Sequence, residues 1–83
     1  MRAKQKELIN LRQGQMTVTE IVRKFDQLAQ LCLTLVQTEE DRVTRLLEVF
    51  QPELTALIET REYQPTTMAD CVSSALRAEY RVN

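Results

Sequence analysis

Residues 11–28 read LRQGQMTVTEIVRKFDQL, and the reading of this stretch decides the fold. It contains Gly14, the one glycine of the chain, followed directly by a helix-start signature. Thr17 stands three residues before Glu20. At that spacing the threonine hydroxyl accepts from the glutamate amide while the carboxylate reaches back to the threonine amide, a reciprocal capping box. From there Val18, Ile21, Val22, Phe25, Leu28, Ala29 and Cys32 recur at the three-and-four spacing of one helical face. Arg23, Lys24, Asp26, Gln27 and Gln30 fill the other side. The stretch predicts an amphipathic helix that opens at Thr17.

Upstream, residues 3–12 are good helix formers with Leu8 and Leu11 three apart, and they predict a short helix. Gly14 is expected to stop it, because glycine takes the left-handed conformation that commonly ends helices. Downstream, residues 33–37 (LTLVQ) are apolar but lack caps, and read as a loop folded onto the core. Thr38 with Asp41 repeats the capping box, and Glu39 and Glu40 place negative charge where a helix N-terminus favours it. Val43, Leu46, Leu47 and Phe50 are the inner face of this third helix. Pro52 ends it and suits the first turn of a fourth, where a missing N–H leaves no bond unmade. That fourth helix runs to about Thr60 with Leu54, Leu57 and Ile58 turned inward.

A loop from Arg61 to Thr66 follows, in which Pro65 biases Gln64 away from helical geometry. Thr67 with Asp70 reads as a third capping box, and Met68, Cys71, Val72, Ala75, Leu76 and Tyr80 as the last inward stripe. No segment alternates with period two. The expectation is an all-α, compact bundle of about five short helices forming one domain. Residues 1–13 are its N-terminal helix and linker and 14–83 its helical core, and the chain reads as a fragment of a longer protein.

Composition narrows the function classes. With 43% hydrophobic and 28% charged residues among 83, the chain is too apolar for a disordered tail, yet short enough that a second surface would help it stay folded. The 11 basic and 12 acidic residues are interspersed, without the one-sided basic excess of a nucleic-acid module. Only Arg2, Lys4 and Lys6 form a basic run, read as a solvated helix start. The absence of any apolar run near ~18 residues predicts a soluble, cytoplasmic protein.

There is no histidine, and Cys32 and Cys71 stand apart without a CxxC pair, so a zinc site is excluded. Both cysteines fall on apolar stripes and read as buried thiols, with a disulfide open only if the fold joins them in an oxidising compartment. One glycine cannot make a phosphate-cradling loop. Glu39, Glu40 and Asp41 are explained by a helix start, and no base stands near Cys71 in sequence. Neither an enzyme nor a cofactor is expected.

What remains is binding by surface. Arg42, Arg45 and Val49 lie three and four apart on the third helix, away from its inner stripe as read above, and arginine is enriched at interfaces. The apolar loop of Leu33, Leu35 and Val36 is a second patch, read as core cover. Tyr63 and Tyr80 are either contact residues or amphipathic edges of the fold.

With these residues in place, the chain resembles the Gag polyprotein of gypsy-class LTR retrotransposons, in particular those of plants. The similarity is carried by Leu11, Gln13, Gly14, Met16, Thr17, Val18, Glu20, Val22, Phe25 and Leu28. It continues through LAQLC at 28–32, TEEDRV at 38–43, LLEVFQPEL at 46–54, PTTMADCV at 65–72 and ALRAEY at 75–80. The opening stretch is also similar to the major homology region of retroviral capsids, in which a Gln-Gly pair precedes an amphipathic helix with an aromatic partway along.

That resemblance implies the C-terminal domain of a capsid, a helical unit that dimerises and links capsomers in a particle. Gln13 and Gly14 are then the residues that shape the turn and its hydrogen bonds, Phe25 and Leu28 the core anchors, and the third helix with Arg42, Arg45 and Val49 the dimer helix. The match departs at Thr17, where retroviral sequences place a glutamate, so Glu20 serves from one turn later. The retroviral tryptophan is also missing, which implies that a dimer through this helix alone is weak or uses extra surface, such as the first helix. The partner is a second copy of the chain, with no small-molecule substrate, no membrane and no nucleic acid through this domain. The alternative is an adaptor similar to SCAN domains, which dimerise regulatory proteins without building shells.

Overall fold

The computed structural model describes residues 2–60 and 62–82, and the side chains of residues 3–60 and 62–81. Arg61, the start of the expected second loop, and the Arg2 side chain of the basic run lie outside that range. Five helices follow in order: α1 (Arg2–Asn10), α2 (Val18–Leu31), α3 (Glu39–Val49), α4 (Pro52–Ile58) and α5 (Met68–Val82). No strand occurs among the described residues. α1 lies along α2, and α5 packs against α2, α3 and most extensively α4.

Both upstream capping boxes form completely. The Thr17 hydroxyl accepts from the Glu20 amide at 3.2 Å while Glu20 Oε1 accepts from the Thr17 amide at 3.0 Å. Thr38 and Asp41 do the same at 3.0 and 3.3 Å. At Thr67 only one arm is present among the described residues: its hydroxyl accepts from the Asp70 amide at 3.1 Å. The other contribution at this end crosses the fold, for the Met68 amide donates to Glu39 Oε1 at 2.9 Å. A carboxylate from the first turn of α3 thus satisfies a free N–H at the start of α5, where the helix dipole favours negative charge.

The expected first helix over 3–12 ends earlier, at Asn10. Leu11 tightens the end with a 3.2 Å amide bond to the Leu8 carbonyl, then turns into the core. The Arg12 guanidinium donates to the carbonyls of Ile9, in the last turn of α1, and of Leu11 just beyond it, at 3.1 and 2.6 Å. Gly14 therefore does not cap α1. It sits four residues beyond it, at φ +56°, and makes the turn into α2. A Cβ there would meet no atom within 4 Å, so only backbone strain opposes a side chain. Gly14→Ala is expected to cost about 1–2 kcal/mol, with Gly14→Asn milder because asparagine tolerates the left-handed region. Urea midpoints of the two variants check this, and equal midpoints would contradict it.

The core brings Leu8 of α1 together with Val18, Ile21 and Phe25 of α2, Leu46 and Val49 of α3, Ile58 of α4 and Cys71 of α5. Several inward assignments shift. Leu57 is 40% exposed, because Leu54 and Ile58 alone form the buried edge of the short α4. In the 33–37 loop Val36 is buried, Leu35 half-buried and Leu33 exposed. On α5 the buried face is Cys71, Ser74, Ala75 and Ala78. These small side chains let α5 sit close against its neighbours. Leu76 and Tyr80 are carried to the outer face, with Tyr80 88% exposed.

Candidate functional site

The turn at Gln13 positions everything after it. Gln13 is 6% exposed, and all its hydrogen-bonding groups are used. Its backbone N–H donates to the Val49 carbonyl at 2.9 Å, and its own carbonyl accepts from the Met16 amide at 2.9 Å. In the side chain, Nε2 donates to the Met16 carbonyl at 3.0 Å and Oε1 accepts from the Gln51 amide at 3.0 Å. Gln51 returns the link, its Nε2 donating to the Gly14 carbonyl. Gln13 therefore ties the turn before α2 to the junction between α3 and α4. Among the described residues no buried side-chain nitrogen or oxygen is left without a partner.

The N-terminus of α2 is held from two sides. Beyond the Thr17–Glu20 box, the Val18 amide donates to Glu79 Oε2 of α5 at 2.8 Å. The Thr17 amide, and then its hydroxyl, hold the Glu20 carboxyl below the usual value of 4.5. The box keeps its full contribution above that value and loses it as pH falls through the lowered one. One turn and two turns on, Phe25 and Leu28 are buried, Phe25 completely.

The expected contact face on α3 is only partly a surface. Val49 is 1% exposed and belongs to the core, so it is not a contact residue. The buried arc of α3 is Val43, Leu46, Val49 and Phe50, centred nearer Leu46 than the sequence stripe placed it, because the Gln13 turn docks against the C-terminal end of the helix. Leu47 is only half-buried. Arg42 and Arg45 are both half-buried and face different grooves. Arg42 borders one of about 390 Å³ between α2 and α5, with Val22, Asp26 and Ala69. Arg45 borders a smaller one of about 150 Å³ beside Leu35.

A further groove, about 560 Å³, runs between α3, α4 and the segment before α5, and is lined by Val43, Leu47 and the acids Glu40, Glu48 and Glu59. These acids do not converge, and no three His, Cys, Asp or Glu side chains among the described residues are placed to hold a metal ion. Nor is any helix of the described residues long and apolar enough to cross a membrane.

Cys32 and Cys71 are both free and buried. Burial, and secondarily the negative charge of Glu59, push the Cys71 thiol up from its ordinary 9.0 to about 11. At neutral pH it is a protonated core thiol, not a nucleophile. The folded state keeps this proton more tightly than the unfolded chain does. The stability it supplies is full below pH 9 and is lost between about pH 9 and about 11, at about 1.4 kcal/mol per pH unit. Two readouts are expected: negligible labelling by a thiol reagent at pH 8 until urea is added, and a midpoint that falls above pH 9 in wild type but less in Cys71→Ala. A fast native labelling phase at Cys71 would contradict its burial.

The exposed large apolar side chains among the described residues are Ile9, Leu31, Leu33, Leu57, Tyr63, Leu76 and Tyr80. Single exposed apolar residues are ordinary. Leu76 and Tyr80 stand four residues apart on one face of α5. Tyr63 is half tethered, its hydroxyl 3.1 Å from Ser74 Oγ. The sequence stripe counted Leu76 and Tyr80 as core because they follow helical spacing. Ala78, which is buried, was the residue whose position could have moved the stripe's centre round the helix.

No family model matches the chain, and neither a curated protein nor a solved structure matches it.

Proposed function

We propose that this chain is a structural self-association module of the capsid type: the C-terminal capsid domain of a retrotransposon Gag, or of a host protein derived from one, working through homotypic helix contacts. The observation that carries the reading is the exposed apolar pair Leu76 and Tyr80 on α5, in a fold that leaves no buried side-chain nitrogen or oxygen unpartnered among the described residues. Apolar area of this kind, rimmed by charge, is what protein contacts use. The resemblance of residues 11–28 to the major homology region supports it, and the Gln13 bonds describe a turn that fixes α2 against the α3–α4 junction. In this reading the turn holds the fold and the outer helix faces make the contacts.

Sedimentation equilibrium on the whole chain tests it. The expected result is a monomer–dimer equilibrium that shifts with protein concentration up to about 1 mM, the range in which a weak contact of ~4 kcal/mol becomes visible. A strictly monomeric chain across that range overturns the reading.

A further inference from the structure

We infer that the self-association surface is the outer face of α5, packed antiparallel against the same face of a second copy across a two-fold axis. This deepens the proposed self-association and rests on it. Ala69, Ser73, Leu76 and Tyr80 are all exposed and follow one another at spacings of four, three and four, which puts them on a single stripe of α5. That spacing is the seam of a two-helix coiled coil. The stripe is also self-complementary. With the axis passing between Ser74 and Ala75, Ser73 of one copy meets Leu76 of the other, and Ala69 meets Tyr80. Each large side chain lies over a small one, twice by symmetry, as an isologous contact requires.

Charge follows the same register. In an antiparallel pair related by this axis, the same flank of each helix faces its counterpart. Asp70 and Arg77 both lie on the flank one residue beyond the stripe, so Asp70 of one copy faces Arg77 of the other, again twice. Both are exposed, and the one ion pair among the described residues is Lys4–Glu7, so neither is paired with another described side chain. The two helix dipoles oppose each other in this arrangement, placing the acidic first turn of one α5 near the basic last turn of the other.

The groove beside Ala69 supplies the third element. It measures about 390 Å³ and is lined by Val22, Arg42, Met68 and Val72 together with Ala69. Since Tyr80 of the second copy arrives at Ala69, its ring lies at the mouth of this groove, with Val72 and Met68 as apolar contacts and the Arg42 guanidinium within reach of its face. Arg42 thereby takes part in association from the edge of the α5 surface. One helix pair is a small interface, so the contact is weak and concentration-dependent.

The test is a charge exchange on exposed positions, read by sedimentation equilibrium with far-UV circular dichroism to verify that each variant keeps its helix content. Asp70→Arg alone and Arg77→Glu alone are each expected to weaken self-association tenfold or more, by setting like charges against each other. An equimolar mixture of the two single variants, and the double variant by itself, are expected to associate as wild type does. Tyr80→Ser is expected to weaken association to a similar degree, whereas Tyr80→Phe is not. If wild type dimerises and the single variants dimerise equally well, the α5 geometry is wrong while the wider self-association reading stands. Failure of the mixture and the double variant to recover overturns the antiparallel register. A monomeric wild type overturns both.

Discussion

Phe25→Ala is expected to lower the unfolding free energy by about 3–5 kcal/mol, the usual range for removing a fully buried aromatic side chain. Phe25 has no exposed surface and belongs to the same buried core as Leu8, Ile21 and Leu46. The cavity it leaves is bordered by helices already fixed at their ends, α2 by Thr17, Glu20 and Glu79 and α3 by Thr38 and Asp41, so collapse around it is limited. Domains of this size are stable by only ~5–15 kcal/mol, so this variant should be close to unfolding at room temperature. Urea denaturation followed by circular dichroism measures it, and a midpoint near that of wild type would show that Phe25 is not in the core. Leu28→Ala, three residues further along α2 and 6% exposed, should fall in the ~2–5 kcal/mol range of aliphatic truncations.

The second large effect concerns Gln13. Gln13→Leu keeps the size of the side chain but removes both of its hydrogen bonds. The Met16 carbonyl and the Gln51 amide are then left facing an apolar group. An abandoned buried partner costs ~1–3 kcal/mol, and since Gln51 is only half-buried the sum is expected near ~2–4 kcal/mol. Gln13→Glu separates the two bonds. A carboxylate still accepts from Gln51 but turns an acceptor toward the Met16 carbonyl. When protonated, it donates there as the amide does. The folded state therefore raises the carboxyl's pKa, and the stability of this variant should be greatest at low pH and fall as pH rises through that raised value. Equal stability of Gln13→Glu at pH 4 and pH 7, relative to wild type at each pH, would rule out the Met16 contact.

Both predictions show why some of this protein is readable from its residues and some is not. The starts of α2 and α3 were legible because a capping box needs only two residues three apart. Thr17 with Glu20 and Thr38 with Asp41 carry that information locally, and the helices begin where they say. Thr67 with Asp70 looked identical but completes only one arm among the described residues, and the neighbouring amide of Met68 is served by Glu39 from another helix. The partner of Gln13 could not be read from local spacing, because Gln51 lies 38 positions away.

The rotation of α3 and α5 about their axes is the clearest instance. Spacing assigns residues to a common stripe but leaves open how that stripe is turned with respect to the rest of the molecule. Arg42, Arg45 and Val49 do share one side of α3, yet docking of the Gln13 turn places Val49 in the core and leaves the arginines half-covered at separate grooves. On α5 the rotation runs the other way, and Leu76 and Tyr80, counted inward, stand outside. Small residues at 71, 74, 75 and 78 allow close approach on the buried side, and this displaces the large ones.

By itself, then, the sequence determined that the chain is all-α, where the helices start and that Phe25 and its neighbours are core, because capping and periodicity act within a few residues of themselves. The tertiary structure decided which face of each helix meets solvent, with Val49 of α3 inside and Leu76 and Tyr80 of α5 outside. That rotation is set by packing between segments far apart in the chain, which no local pattern encodes.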